Sequence, residues 1–129
     1  MGKIISNGKQ YSGGSALHNY SSEEQLVGFW FDKPRYEKTY QVTAPSNNQS
    51  TNLIDITDLN IDTLVSLEGT VKNITTDSVS ATATGGDFIL WVRHNYNDTG
   101  VDYIATTVNY SGYHGQTMYV TIQYTKSTD

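Results

Sequence analysis

Apolar and polar residues alternate along the last third of the chain. The alternation runs over residues 88–93, a turn follows at 97–100, and a second alternating segment returns over 101–110. After a loop at 112–115 the alternation resumes and continues to residue 125. A period of two is the signature of a strand with one face toward a core, so these segments predict a β-hairpin followed by a closing strand.

The first two thirds of the chain carry further strand signals. Strands are predicted over residues 25–31, 36–42 and 64–74, and residues 53–62 are predicted to form a short strand that runs into a turn. A turn at 32–34 joins the first two into a long hairpin, with Tyr36, Tyr40 and Val42 on one side. Gly69 is predicted to mark a bulge, because an interior glycine weakens a strand. Residues 75–86 are small and polar, and they form either a weak edge strand or a loose surface wrap.

Seven or eight short strands, separated by Gly, Asn and Asp turns and with no convincing helix, predict an all-β protein. The expected architecture is an antiparallel β-sandwich. At 129 residues the chain fits one domain. We expect a sandwich over residues 16–129. Residues 1–15, with a turn signal at Asn7-Gly8, form a hairpin that is either a separate appendage with its linker or the end of an upstream stalk.

Composition excludes several classes of function. A net charge of −5 with eight Lys and Arg argues against nucleic acids and anionic membranes, which need a basic face. No segment has the length and apolarity of a membrane helix, and the N-terminus lacks the pattern of a signal peptide. Without cysteine there is no disulfide, thiolate zinc site or thiol nucleophile. With apolar residues at 36%, the core of a monomer is thin, which favours an oligomer.

Three segments resemble the C-terminal domains of bacteriophage and prophage tail-fibre proteins. Residues 20–39 read Y-S-S-E-E-Q-L-V-G-F-W-F-D-K-P-R-Y-E-K-T, one residue shorter than the usual spacing because Lys33 directly follows Asp32. Residues 60–70 read N-I-D-T-L-V-S-L-E-G-T, and the chain ends in Y-V-T-I-Q-Y-T-K-S-T-D. Together these segments cover about a third of the chain.

The resemblance implies a trimeric domain at the distal end of a fibre in the virion tail, where it contacts the host surface. It would assemble with other tail proteins and bind a cell-surface polysaccharide or glycan. The motif residues also have a structural explanation: we expect Trp30 to pack in the core or in a subunit interface, Asp32 and Lys33 to shape the turn, and Pro34 with Tyr36 to begin the next strand.

The candidate ligand-binding residues lie around two turns in the Tyr-rich last third. Aromatic rings stack on the apolar faces of sugars, and neighbouring amides, carboxylates and guanidinium groups bind their hydroxyls. The predicted site combines the loops at 96–101 and 110–115, and its residues are Trp91, Arg93, Tyr96, Asn97, Asp98, Tyr103, Tyr110, Tyr113 and His114. The alternative is that these rings fill the core and a trimer interface.

No motif predicts catalysis, a cofactor or a metal site. Asp58-x-Asn60-x-Asp62 begins like a calcium loop, but Thr63 and Gly69 stand where glycine and glutamate are required, so a polar turn is expected. His94 is predicted to be half-buried and His114 exposed. The expected function is therefore non-catalytic receptor binding. A purely structural cap that trimerises a fibre is the alternative, and a cryptic glycan hydrolase is a weaker one because no spacing selects a pair of carboxylates.

Overall fold

The computed structural model describes residues 18–72 and 86–129 in full, together with the backbone of two short strands near the N-terminus. The strands are β1 (Ile4–Ser6), β2 (Lys9–Tyr11), β3 (Gln25–Trp30), β4 (Lys33–Thr43), β5 (Thr51–Asp55), β6 (Ile61–Val71), β7 (Phe88–Arg93), β8 (Tyr103–Val108) and β9 (Thr117–Lys126). In the described part of the chain the helical elements are three single 3-10 turns, at Thr57–Leu59, Tyr96–Asp98 and Ser111–Tyr113.

Seven of the strands form two antiparallel sheets. One sheet has the order β3-β4-β9-β6 and the other the order β5-β8-β7, while β1 pairs with β2 in a separate hairpin. The all-β class and the antiparallel sandwich predicted from the alternation are confirmed. Among the described residues, no helix has the length and apolarity needed to cross a lipid bilayer.

The core lies between the inner faces of the two sheets. From β9, Met118, Val120, Ile122 and Tyr124 are completely buried, so its alternation has the predicted phase. The three-stranded sheet contributes inward side chains that are also buried: Ile54, Phe88, Leu90, Ile104 and Val108. Because both sheets turn an apolar face inward, burial of these side chains is the main force holding the sheets together.

At Gly69, β6 lies close against side chains of the other sheet. A Cβ atom at this position would lie 2.7 Å from Cδ1 of Leu90 and 3.2 Å from Cε2 of Phe88. The register irregularities of β6 against β9 lie instead between Ile61 and Ser66. The prediction that Gly69 marks a bulge is therefore wrong: the glycine provides room for the facing sheet.

The β3–β4 hairpin forms as predicted, but its turn lies earlier. Trp30 pairs with Lys33, so Phe31 and Asp32 make the turn, whereas Lys33 and Pro34 already belong to β4. A bulge lies between Leu26 and Gly28, and Gly28 has a φ of 146°, a conformation that favours glycine.

Several predictions fall outside the described residues. These are the Asn7-Gly8 turn, the joint at residues 12–15, and most of the segment 75–86. The strands β1 and β2 on either side of the Asn7-Gly8 pair are antiparallel partners, as the turn signal predicts.

Candidate functional site

The outer face of the three-stranded sheet carries aromatic side chains. Inward residues of β7 alternate with Ile89, Trp91 and Arg93, which point away from the core. In the register of β7 and β8, Trp91 lies opposite Ala105 and Arg93 opposite Tyr103. Because Ala105 is small, the indole beside it can lie low over the strand pair.

Arg93 is the centre of this group. Its guanidinium carbon lies 5.2 Å from the ring centroid of Trp91 and 4.9 Å from that of Tyr96, both within cation–π range. Tyr96 in turn meets Tyr103 edge to face, with centroids 6.0 Å apart. We call Trp91, Arg93, Tyr96 and Tyr103 the aromatic platform. Each of its members is partly exposed, so the platform is accessible from solvent.

Arg93 is also fixed by a neighbouring strand. Its Nη1 donates a 2.7 Å hydrogen bond to Oδ1 of Asn52 on β5. Guanidinium carries five donors, and this is its one hydrogen bond within the described residues. The cation is therefore held in place while most of its donors remain available. Asn52 was not among the predicted residues, because its place beside Arg93 depends on the pairing of β5 with β8.

The loop that carries Tyr96 is built on a rigid hydrogen-bond network. Asp102 accepts from the backbone N–H of Asn95 at 2.8 Å, and Oδ1 of Asn95 accepts from Gly100 at 2.6 Å. Asn95, Asn97 and Asp98 all have positive φ, a conformation that Asn and Asp tolerate better than most residues. The predicted Asn97 and Asp98 are both exposed beside the platform.

A second set of contacts braces the platform from β5. Oγ1 of Thr57 donates to Oδ1 of Asp55 at 2.6 Å and accepts from the backbone N–H of Asp102 at 3.0 Å. The hydroxyl and backbone N–H of Thr57 hold the pKa of Asp55 below its ordinary value. Asp55 lies opposite Tyr103 in the β5–β8 register, so a carboxylate that remains charged lies at the margin of the platform.

The structure separates the two loops that were predicted to form one site. Tyr110, Tyr113 and His114 follow the far end of β8, about 17 Å from Tyr103 at the usual strand rise. Tyr113 is completely buried, with its ring edge to face with Tyr110 at 5.0 Å. It is a core residue, as the alternative explanation held. The site residues therefore divide into the platform with its loop and a group around buried Tyr113.

Both histidine predictions are wrong. The side chain of His94 is 86% exposed, and its Nδ1 lies 2.9 Å from Oδ1 of Asp102. His114 is partly buried, and its Nε2 lies 2.8 Å from the carbonyl oxygen of Val108. Strand alternation does not extend to His94, which lies in the turn after β7, whereas the loop of His114 folds back onto the end of β8.

A second exposed surface lies along β3 and at the tip of the β3–β4 hairpin, and its residues are large and apolar. Leu26, Phe29, Trp30 and Phe31 are 62%, 68%, 39% and 87% exposed, respectively. We call these four residues the apolar hairpin. Trp30 is therefore not a core residue of the single chain, and a place in a subunit interface stays a prediction.

The calcium-like segment is a structural turn. Asn60 has a left-handed conformation and donates through Nδ2 to the carbonyl of Asp58, while Asp62 forms a 2.9 Å salt bridge with Lys33. The side chains of Asn60 and Asp62 thus have protein partners, as expected of a polar turn. Within residues 18–72 and 86–129, no group of three or more His, Asp or Glu side chains is arranged to hold a metal ion.

Fold and surface together define an antiparallel β-sandwich with an aromatic and guanidinium platform on the outer face of one sheet. Comparison with known protein families, with curated proteins and with solved structures finds no match. The resemblance to tail-fibre domains is one of three sequence segments alone.

Proposed function

We propose that this protein is a non-catalytic glycan-binding domain at the tip of a phage or prophage tail fibre, and that the aromatic platform is where the glycan binds. The observation that carries the proposal is Arg93, held between the rings of Trp91 and Tyr96 and anchored by Asn52. The fibre location and the host-surface partner come from the sequence resemblance alone.

The chemistry of the platform suits a sugar ring. The indole and phenol faces offer rigid apolar area against which sugar C–H groups pack, and the free guanidinium donors can bind vicinal hydroxyls. Asn97 and Asp98 add an amide and a carboxylate beside the rings. Because the network around Asp102 fixes the loop, little conformational entropy is lost when a ligand binds.

The two tryptophans of the chain allow a direct test. In a Trp30→Phe variant, Trp91 is the single tryptophan. Its emission, excited selectively over that of the tyrosines, should change as host-envelope glycan fractions are added. Trp91→Ala should lower binding to those fractions and to whole cells at least tenfold, whereas Trp30→Ala, the matched control, should leave the intrinsic affinity unchanged. Equal binding by wild type and Trp91→Ala would refute the site.

A second function, a cap that trimerises the fibre, is supported by a separate observation. The apolar hairpin exposes four large side chains on one edge strand of the four-stranded sheet and its turn, with the rings of Trp30 and Phe31 in contact, and exposed apolar residues grouped in this way mark association sites. A trimer would bury this surface and supplement a thin core.

Sedimentation velocity tests the cap. Wild type should sediment as a trimer, and replacing both Phe29 and Trp30 with Ser should shift it to monomer, because buried aromatic residues dominate association energy. The control is Ile89→Ser, since Ile89 is 40% exposed on the other sheet. A wild-type monomer at high concentration would rule out the cap and the trimeric tip together.

A further inference from the structure

The outer face of the four-stranded sheet contains a cavity on the opposite side of the sandwich from the platform. Its volume is about 490 Å³, within the range of small-molecule sites. Its walls combine ionisable groups, amides and apolar side chains: His18, Gln25, Leu26, Arg35, Glu37 and Gln123. These residues come from β3, β4, β9 and the segment before β3, so the cavity exists only in the folded sheet.

Glu37 is the buried carboxyl group of this cavity, and its oxygens already have partners. Only 1% of the residue is exposed. His18 Nε2 lies 2.8 and 3.0 Å from its two carboxylate oxygens, and Nε2 of Gln123 donates to Oε2 at 2.8 Å. A buried carboxylate with three such contacts is largely satisfied, so it fixes the cavity wall rather than awaiting a cation.

Arg35 is the cation of the same wall, and it is poorly satisfied. Its Nη1 and Nη2 reach the neutral oxygens of Gln123 and Val27 only at 3.4 Å, and its buried Nε has no partner. No carboxylate within the described residues lies close enough to form an ion pair with it. The partnerless Nε and the two long contacts leave much of the hydrogen-bonding capacity of this guanidinium unused, and an anion at its Nη edge would supply charged acceptors.

The backbone around Arg35 leaves space for this side chain. A Cβ atom at Gly28 would lie 2.9 Å from Nη2 of Arg35, and a β-bulge lies between Leu26 and Gly28. The φ of 146° at Gly28 favours glycine, and the missing side chain leaves the guanidinium in its present position.

We propose that this cavity binds one ring of a carboxylate-bearing sugar, of the hexuronic acid class. The sugar carboxylate would pair with the Nη edge of Arg35, since guanidinium and carboxylate match in geometry. The amides of Asn19 and Gln25 would contact hydroxyls, and Leu26 would cover the apolar face of the ring. A phosphate or sulfate ion alone is too small to fill the volume.

The surroundings favour a saccharide over another organic acid. A second cavity of about 490 Å³ lies on the same sheet face, and it is lined by Tyr20, Thr39, Glu68 and Tyr119 among others. Tyr20 is 55% exposed and its ring stacks on His18 at 4.0 Å, so an aromatic side chain connects the two cavities. An acidic sugar within a chain could thus continue past Tyr20. The inference does not depend on the platform, which lies on the other sheet.

The test is an NMR titration of the ¹⁵N-labelled protein with glucuronate, glucose and sulfate. Glucuronate should shift the amide signals of Val27, Arg35 and Gln123 with a Kd on the order of 1 mM, which is reasonable for one sugar ring. Glucose should bind at least tenfold more weakly. Arg35→Gln should weaken glucuronate binding at least tenfold, whereas Lys72→Gln, which removes one exposed charge outside the cavity, should not.

Each other outcome overturns the inference. Equal affinity for sulfate would show an anion site without sugar recognition, and equal affinity for glucose would show that Arg35 does not select the carboxylate. Shifts confined to Trp91 and Arg93 would move the binding to the platform, and no shift at about 20 mM glucuronate would exclude the site. Because the titration is mapped on wild type, it remains decisive even if Arg35→Gln unfolds. A failure here leaves the Trp91 test unaffected.

Discussion

Replacing Gly69 with Ala tests the close approach of the two sheets. The new Cβ would lie 2.7 Å from Cδ1 of Leu90, and apolar carbons pack at about 3.5–4.0 Å, so one side must move by roughly 1 Å. The new Cβ would also lie 3.2 Å from Cε2 of Phe88. Because Phe88 is completely buried, it limits the directions in which Leu90 can move.

The change in the free energy of unfolding is the difference between two opposing effects. Overpacking a core in this way costs about 1–3 kcal/mol, while removing the flexibility of a glycine from a strand returns about 0.5–1 kcal/mol. The free energy of unfolding should therefore fall by about 1 kcal/mol, and by no more than about 2.5 kcal/mol. With a urea dependence of about 2 kcal/mol per M, the midpoint of urea unfolding should fall by about 0.5 M.

Two controls separate this clash from a general effect of alanine. Gly86→Ala meets no atom within 4 Å and should change the free energy of unfolding by less than about 0.5 kcal/mol. In a Leu90→Ala background, the penalty of Gly69→Ala should largely disappear, because the clashing methyl group is gone. A Gly69→Ala protein as stable as wild type would refute the role of Gly69 as the point of close approach.

Two further substitutions test burial inferred from the structure. Tyr113→Ala should lower the free energy of unfolding by about 3–5 kcal/mol in urea unfolding, because it empties a buried aromatic position, and unchanged stability would show Tyr113 to be a surface residue. Burial raises the pKa of Tyr40 from 10.0 to about 12, so the native state keeps this proton longer than the unfolded chain. The protonated Tyr40 phenol therefore contributes to the free energy of unfolding in full below pH 10, and this contribution is lost as the pH rises toward 12. Because the side chain is partly exposed, the contribution is about 1 kcal/mol. Tyr40→Phe should make the decline in stability over pH 10–12 less steep, and an identical decline in both proteins would contradict the raised pKa.

The sequence was sufficient to predict the local β-structure. The β7–β8 hairpin and β9 follow from period-two alternation because each strand has one face in the core. Turn positions shifted by a residue or two, as at Phe31 and Asp32, since the exact register depends on cross-strand pairing and on the bulge at Gly28.

The site was harder to predict because it depends on which surfaces meet. Glu37 alternates with Tyr36 and lies on the polar face of β4, so its pattern indicates exposure. It is buried because residues from the segment before β3, among them His18, lie against it. That contact links positions nineteen residues apart and leaves no periodic signal.

The separation of the two aromatic loops, by contrast, follows from the order of the predicted elements. The loops at 96–101 and 110–115 lie at the two ends of one predicted strand, and therefore at opposite edges of the sheet along the strand direction. They could therefore form one site only if the intervening strand were bent back on itself, and β8 is continuous from Tyr103 to Val108. Chain direction alone is thus sufficient to divide the predicted site into two groups.

The platform and the apolar hairpin lie in different parts of the sandwich. The platform is on the outer face of the three-stranded sheet, whereas the apolar hairpin lies at the β3 edge of the other sheet, where Leu26 also lines the Arg35 cavity. A trimer that buries the tip of that edge would leave the platform open in each subunit. Three platforms on one fibre tip would raise the overall affinity for a repetitive surface polysaccharide without any new contact. The two proposed roles, receptor binding and trimerisation, are therefore compatible. Even if each platform binds its glycan weakly, a trimer that engages three glycan units at once would bind the surface much more tightly.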